Sequence, residues 1–308
     1  MIFFRCVSLF LLKRKSHYIY SLLITFFTKN LLGGIFASLF LFGCGTNRTI
    51  PYPAIDQQFP SFQRTLIITV PLPVYGWIPF PSKEKEKPHP VIRIYIEGDG
   101  KAWVRRGRPA LDPTPVNRLT HHLMLNDLSA NTAVDIAYLA RPCQYVQTSA
   151  CKTTTWTFDR YNQEIVDVMN MAVDKIKTQG GYKKIELVGY SGGGTIALLL
   201  AALREDVISV RTVAGNLDPA FTNGLHGVSK IPTALNPGLF KQELALIPQI
   251  HFFGTEDNII THKVSAHYQQ SIGSSNCILI KPVTASHQSG WAEQWTELLQ
   301  IIPTCAAQ

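Results

Sequence analysis

Ile185-Glu186-Leu187-Val188-Gly189-Tyr190-Ser191-Gly192-Gly193-Gly194-Thr195 runs straight into Ile196-Ala197-Leu198-Leu199-Leu200-Ala201-Ala202. An aliphatic run of strand length meets a Gly-Tyr-Ser-Gly-Gly turn, and an apolar run of helical composition follows. A serine at such a reversal sits at the apex of a sharp bend. The positions two before and two after it can carry no bulk, and here they are Gly189 and Gly193. The helix that starts behind the serine adds the positive potential of its N-terminus, which favours developing negative charge. The chain has no G-x-x-x-x-G-K-[ST] element, so a phosphate loop is not the reading.

Outward from this segment, strand and helix patterns alternate. Strand candidates are 65–70, 91–97, 133–139, 184–189, 207–214, 249–254 and 277–283, mostly continuous β-branched and aliphatic runs of the kind covered on both faces. Helix candidates are 116–127, 161–177, 195–204, 261–271 and 291–301. In the second of these, Ile165, Val168, Met169, Ala172 and Ile176 form one core-facing stripe. The alternation predicts an α/β domain over residues 61–308, with a mainly parallel sheet flanked by helices. An antiparallel edge is expected before residue 97, with the charged stretch 82–90 (SKEKEKPHP) as a solvated hairpin tip.

In this strand–turn–helix setting, Gly189-Tyr190-Ser191-Gly192-Gly193 resembles the nucleophile elbow of the α/β-hydrolase superfamily. The resemblance implies partners in the order serine, acid, histidine. Asp257 follows the strand at 249–254 and is the acid that the resemblance selects; its neighbour Glu256 and the earlier Asp218 are rivals, Asp218 reading better as a turn or helix cap. His287 lies in the loop after the last strand, about thirty residues beyond Asp257, and is the expected base. His226, His251, His262 and His267 compete less well, His251 falling inside a strand and His262 and His267 on a helix. For the oxyanion hole the resemblance points to the amide of Gly192 and to one from the turn Glu97-Gly98-Asp99-Gly100, Asp99 first and Gly100 next. Glu97 there replaces the histidine common in lipases.

The resemblance extends to bacterial lipoproteins with this fold, through residues 95–100 (YIEGDG), 140–145 (ARPCQY), 213–218 (VAGNLD) and the stretch from His287 to Trp291. It implies a serine hydrolase of the carboxylic-ester class, acting on a small-molecule or lipid ester or thioester through an acyl-enzyme on Ser191, without cofactor or metal. A serine peptidase and a catalytically silent surface-binding module are the alternatives. The stretch 216–248 suggests a small or absent cap, and Arg105, Arg106, Arg108 and Arg141 read as solvated surface arginines rather than as an anion site.

Of 308 residues 46% are hydrophobic and 16% charged, enough apolar material for a large core. Most of the net charge of +8 comes from Arg5, Lys13, Arg14, Lys15 and Lys29, in a leader that has no acid. The nearly balanced remainder lacks a basic run, which argues against a nucleic-acid partner. Residues 1–43 read as a signal peptide or membrane anchor, with an apolar run at 31–42 too short to span a bilayer as a helix. Leu41-Phe42-Gly43-Cys44 resembles a lipobox, which implies lipid on Cys44 and a membrane-anchored lipoprotein at the periplasm or cell surface; a transmembrane anchor is the alternative. A polar, proline-containing tether over 44–60 follows. Beyond Cys6 and Cys44, the four cysteines Cys143, Cys151, Cys277 and Cys305 suit an oxidising compartment, with local pairing expected. His121 and His122 are adjacent and would diverge on a helix, so they are not a zinc pair.

Overall fold

The computed structural model describes residues 48–49, 62–79, 90–130 and 134–306. The expected leader, the expected lipidation site Cys44 and nearly all of the expected tether lie outside the described residues. Eight strands make one sheet: β1 (Phe62–Ile67), β2 (Val74–Pro79), β3 (Val91–Ile96), β4 (Asp135–Leu139), β5 (Lys184–Tyr190), β6 (Val207–Val213), β7 (Gln249–Gly254) and β8 (Ile278–Val283). Their order across the sheet is β1-β2-β4-β3-β5-β6-β7-β8. From β4 to β8 every pairing is parallel, while β2 runs antiparallel to both β1 and β4.

Helices cover both faces because the strands bury side chains on both. Ile92, Ile94 and Ile96 of β3 join Ile185 and Leu187 of β5 in one core, under α2 (Gln163–Gly180), α3 (Gly192–Ala202) and α5 (His262–Ile272). The alternate residues Tyr95, Val188 and Tyr190 face a second core, with α1 (Leu119–Ser129) and α6 (Trp295–Leu299). This is the period-two consequence of a pleated strand. Helix α3 is buried along nearly its whole length, which explains why its sequence is apolar on every side. Helix α2 buries the predicted stripe of Ile165, Val168, Met169, Ala172 and Ile176. It starts where the Asn162 side chain accepts from the Ile165 amide at 2.9 Å, and it ends at Gly181 in the left-handed conformation. A short helix α4 (Pro219–Leu225) begins at Asp218, whose carboxylate caps the Phe221 amide at 2.9 Å.

Most expected strands lie within two residues of their places, but the N-terminal edge differs. The first strand is shifted to Phe62–Ile67, and Val74–Pro79 is a strand absent from the expected set, which pairs with it as the antiparallel edge expected before residue 97. The idea of a hairpin tip at 82–90 is corrected: the flanking strands β2 and β3 do not pair, because β4 lies between them. Residues 80–89 themselves lie outside the described residues. Two disulfides close local loops, Cys143–Cys151 and Cys277–Cys305, as the spacing suggested. No described helix is long and apolar enough to cross a membrane.

His251 stands inside β7 with both ring nitrogens used: its Nδ1 accepts from the Thr212 hydroxyl at 2.9 Å, and its Nε2 donates to Gln249 Oε1 at 3.0 Å. Burial lowers its pKa from 6.5 to about 3, so it stays neutral in the fold while it protonates in the unfolded chain. The unfolded state then binds the extra proton between those two values, and stability falls as pH drops through that window, by up to about 1.4 kcal/mol per unit. We expect a His251→Gln variant to show a shallower loss of stability between about pH 6.5 and pH 5 than the parent. Urea denaturation across that range measures the two slopes, and equal slopes would refute this assignment.

Candidate active site

The parallel strands from β3 to β8 deliver their C-terminal ends to one edge of the sheet, and the site is built there. After β5 the chain turns through Ser191 with φ 49° and ψ −119°, a conformation costly for any residue with a side chain. Three backbone bonds hold the turn: the Ser191 amide donates to Val213 O at 3.0 Å, and Ser191 O accepts from the Gly194 amide at 2.9 Å and the Asn216 amide at 2.8 Å. The glycines on either side permit it. A Cβ on Gly189 would lie 2.4 Å from Gly193 O, and a Cβ on Gly193 would lie 2.3 Å from Ile96 O, so α3 presses on β3 with nothing between them.

Asp257 is reached three residues past β7. Its Oδ1 accepts from the amides of Ile259 and Ile260 at 2.7 and 2.9 Å, which leaves Oδ2 to face His287 Nδ1 at 2.8 Å. The carboxylate is fully buried and His287 is nearly so. Because a carboxylate only accepts, Nδ1 carries the proton, and Nε2 is free to accept from the Ser191 hydroxyl at 3.1 Å. The loop bearing His287 is pinned by Trp291 Nε1 donating to Ser286 O at 2.7 Å and by the Tyr190 hydroxyl donating to His287 O at 3.1 Å. Ser191, His287 and Asp257 are thus brought into one hydrogen-bonded chain.

The other candidates lie elsewhere. Glu256 is exposed and Asp218 caps α4, where its second oxygen also faces His267 Nδ1 at 3.2 Å. His267 stacks on Phe221 at 3.9 Å, His226 Nε2 donates to Ile259 O at 2.7 Å, and His262 starts α5. His251 is the buried strand histidine described above. Among the described residues no cluster of three or more His, Cys, Asp or Glu is placed to hold a metal.

Opposite the elbow, the turn after β3 lies against Ser191: a Cβ on Gly98 would be 3.3 Å from Ser191 Cβ. Gly100 instead packs toward Pro113 O and the Gln144 amide group, with φ +62°. Glu97 is buried and accepts from the Thr120 hydroxyl at 2.6 Å, the Tyr138 hydroxyl at 2.8 Å and the Gly98 amide at 2.8 Å. Burial still pushes its carboxyl above the ordinary range. A cleft of about 510 Å³ opens over Ser191 and His287, walled by Trp103, Pro115, Val116, Tyr190 and Gln288.

One expectation is overturned. Arg105, Arg106 and Arg108 are exposed, but Arg141 is buried, with Nη1 3.4 Å from Asp99 Oδ1. It could not be told from its neighbours in type, because a pairing across 42 residues leaves no local trace. Gln144, Arg160 and Tyr161, which also gather around Asp99 and Gly98, were not anticipated; the run at 140–145 was the signal available for the first of them.

The sheet order and the elbow define the class of fold, that of the α/β-hydrolases, with the serine–histidine–aspartate chain at its edge. More particularly, the model of the dienelactone hydrolase family matches residues 144–277. Solved structures agree on the fold. An esterase from Pyrococcus furiosus superposes with a TM-score of 0.58 at 9% identity, covering 82% of this chain and 95% of its own. Est1E from Butyrivibrio proteoclasticus gives 0.53 at 15% identity, with 77% and 96% covered. A putative dienelactone hydrolase from Klebsiella pneumoniae gives 0.51 at 15%, with 78% and 96% covered. No curated protein sequence matches the chain.

The packing of α3 on β3 makes a direct prediction. Gly193→Ala should destabilise the fold by about 1–3 kcal/mol or more, since backbone rather than a side chain must move. It should also displace Ser191 and slow its labelling by a fluorophosphonate. Thermal denaturation and labelling rate are the measurements, and a variant of unchanged stability and labelling would refute the contact.

Proposed function

We propose that the protein hydrolyses carboxylic esters or thioesters through an acyl-enzyme on Ser191, with His287 as base and Asp257 as acid. The observation that carries this reading is the unbroken path from Asp257 Oδ2 through the imidazole to Ser191 Oγ, with links of 2.8 and 3.1 Å, at the floor of an open cleft. In that reading Ser191 Oγ adds to the substrate carbonyl carbon while His287 Nε2 takes its proton. The carbonyl π electrons move onto oxygen, which the Gly192 and Asp99 amides stabilise. When the tetrahedral species collapses, the alkoxide or thiolate leaves with the proton from Nε2. Water, deprotonated by His287, then adds to the acyl carbon, and the acid product departs as Ser191 regains its proton. Asp257 holds the tautomer and stabilises the imidazolium without taking a proton itself.

An ester is favoured over an amide by the company that the fold keeps: a dienelactone hydrolase model over residues 144–277, the Pyrococcus furiosus esterase and the putative dienelactone hydrolase among the neighbours, and Est1E also solved with ferulic acid bound. An acylaminoacyl peptidase from Pyrococcus horikoshii shares the fold too, at 11% identity and a TM-score of 0.54, with 44% of its length covered. A panel of p-nitrophenyl esters from acetate to palmitate tests the reading. We expect turnover that Ser191→Ala abolishes and that Asp257→Asn lowers by about 10²–10⁴ in kcat. Cleavage of chromogenic peptides without ester turnover would replace the ester by an amide, and fluorophosphonate-silent protein would leave a binding module.

We further infer that the domain lies outside the cytoplasm, held to a membrane by lipid on Cys44 and the tether that follows. Two disulfides within the hydrolase domain support an oxidising compartment. Labelled palmitate fed to expressing bacteria should enter the full chain and fail to enter Cys44→Ser. Equal incorporation in the two would overturn the anchor.

A further inference from the structure

Asp99 is surrounded. Its carboxylate accepts from the Tyr161 hydroxyl at 2.9 and 2.8 Å, and it faces Arg141 Nη1 at 3.4 Å and Arg160 Nε at 3.0 Å. Both guanidinium carbons also sit over the Tyr161 ring, at 5.4 and 5.0 Å. Arg141 Nη2 donates to Arg160 O, and Arg160 Nη1 donates to Thr157 O, so the two cations are fixed by backbone as well as by their counter-ion. Burial first, and then the charge of Asp99, push the Tyr161 hydroxyl up to about 12, which keeps it a donor. The carboxylate presses directly on the first residue of α3: a Cβ on Gly192 would lie 2.1 Å from Asp99 Oδ1.

The peptide that precedes Asp99 is fixed at its other end. Gln144 is buried, its Oε1 accepts from the Arg141 amide at 2.9 Å, and its Nε2 donates to Gly98 O at 3.0 Å. In a trans peptide the C=O and the following N–H point in opposite directions. With Gly98 O turned to Gln144, the Asp99 N–H is turned away from Gln144. Among the described residues no protein group accepts from the Asp99 or Gly192 amide. The loop that carries Gln144 is itself held in an unusual form, with Cys143 and Tyr145 at φ 67° and 63° and Cys143 tied to Cys151.

We propose that Gln144 and the Arg141–Arg160–Tyr161 clamp on Asp99 are positioning residues, which aim the Asp99 amide at the oxygen of the tetrahedral species on Ser191. This deepens the acyl-enzyme reading above and rests on it. The clamp has an electrostatic duty as well. A bare carboxylate beside the Gly192 amide would oppose a second negative charge forming there, whereas two guanidiniums against one carboxylate leave the surroundings net positive.

The decisive variant in the full chain is Gln144→Glu. It retains an acceptor for the Arg141 amide and removes the donor to Gly98 O at almost constant volume. A direct loss of one oxyanion donor costs about 10²–10³ in kcat, so a misaimed one should cost about 10–100-fold, with KM changed less than about threefold. Affinity for an aryl boronic acid, which forms a tetrahedral adduct on a nucleophilic serine, should fall in parallel with kcat. A merely structural role for Gln144 would move the melting temperature without this split. Tyr161→Phe, which deletes one donor and keeps the ring, serves if the first variant does not fold, and should change kcat and boronate affinity in the same direction. A kcat within about twofold of the parent, or a loss of kcat with boronate affinity untouched, overturns the proposal. Parent protein that fluorophosphonate fails to label at Ser191 overturns the acyl-enzyme premise instead, so the two failures are told apart.

Discussion

Helix α3 lies on the end of β3 with backbone against backbone. At Gly189 and Gly193 there is no room even for a methyl group, and the contact brings the β3–α1 turn to within touching distance of Ser191. Were the helix to ride higher on a layer of side chains, Gly98 and Asp99 would no longer adjoin Ser191 and Gly192. The histidine loop would then face a hydroxyl that had moved away. The site is therefore a product of how closely two secondary-structure elements approach, and Ser191, His287 and Asp257 inherit their mutual geometry from that distance.

The sheet supplies the rest. Five consecutive parallel pairings, from β4 across to β8, put the ends of β3, β5 and β7 and the loop after β8 on the same edge. Residues nearly a hundred positions apart, such as Ser191 and His287, meet there with no long-range search beyond forming the sheet. Beneath them, Arg93 on β3 bridges Asp127 of α1 and Glu186 of β5, with oxygen distances of 2.6 and 2.7 Å, and so couples one helical layer to the strands beside the elbow. Removing one partner of such a buried group would leave a charge without compensation, which is more damaging than never having had the pair.

What the sequence disclosed follows the range of the forces involved. The elbow was legible because its requirements are local: small residues at fixed offsets, aliphatic before, helical after. Asp257 and His287 could be placed because chain order in this fold maps onto sheet order, and their residue types are scarce at the right edge. Strand β2 escaped notice because Gly76 and its flanking prolines look like loop, although burial on both faces is what makes the segment a strand. Arg141, Arg160 and Gln144 were beyond reach for a different reason. Their meaning lies in contacts with Asp99 and Gly98 across more than forty residues, and an arginine that will be buried is written with the same letter as one that will be solvated.

The left-handed backbone at Ser191 has a consequence for how such a chain persists over generations. A glycine there would relieve a cost of about 1–3 kcal/mol, so selection for durability alone would tend to erase the serine. Cys143, Tyr145 and Ala214 hold positive φ as well, but of these four residues only Ser191 stands at the end of the hydrogen-bonded path through His287. Sturdiness and a hydroxyl are therefore alternatives at position 191, and the fold gains the first there only by giving up the group that His287 faces.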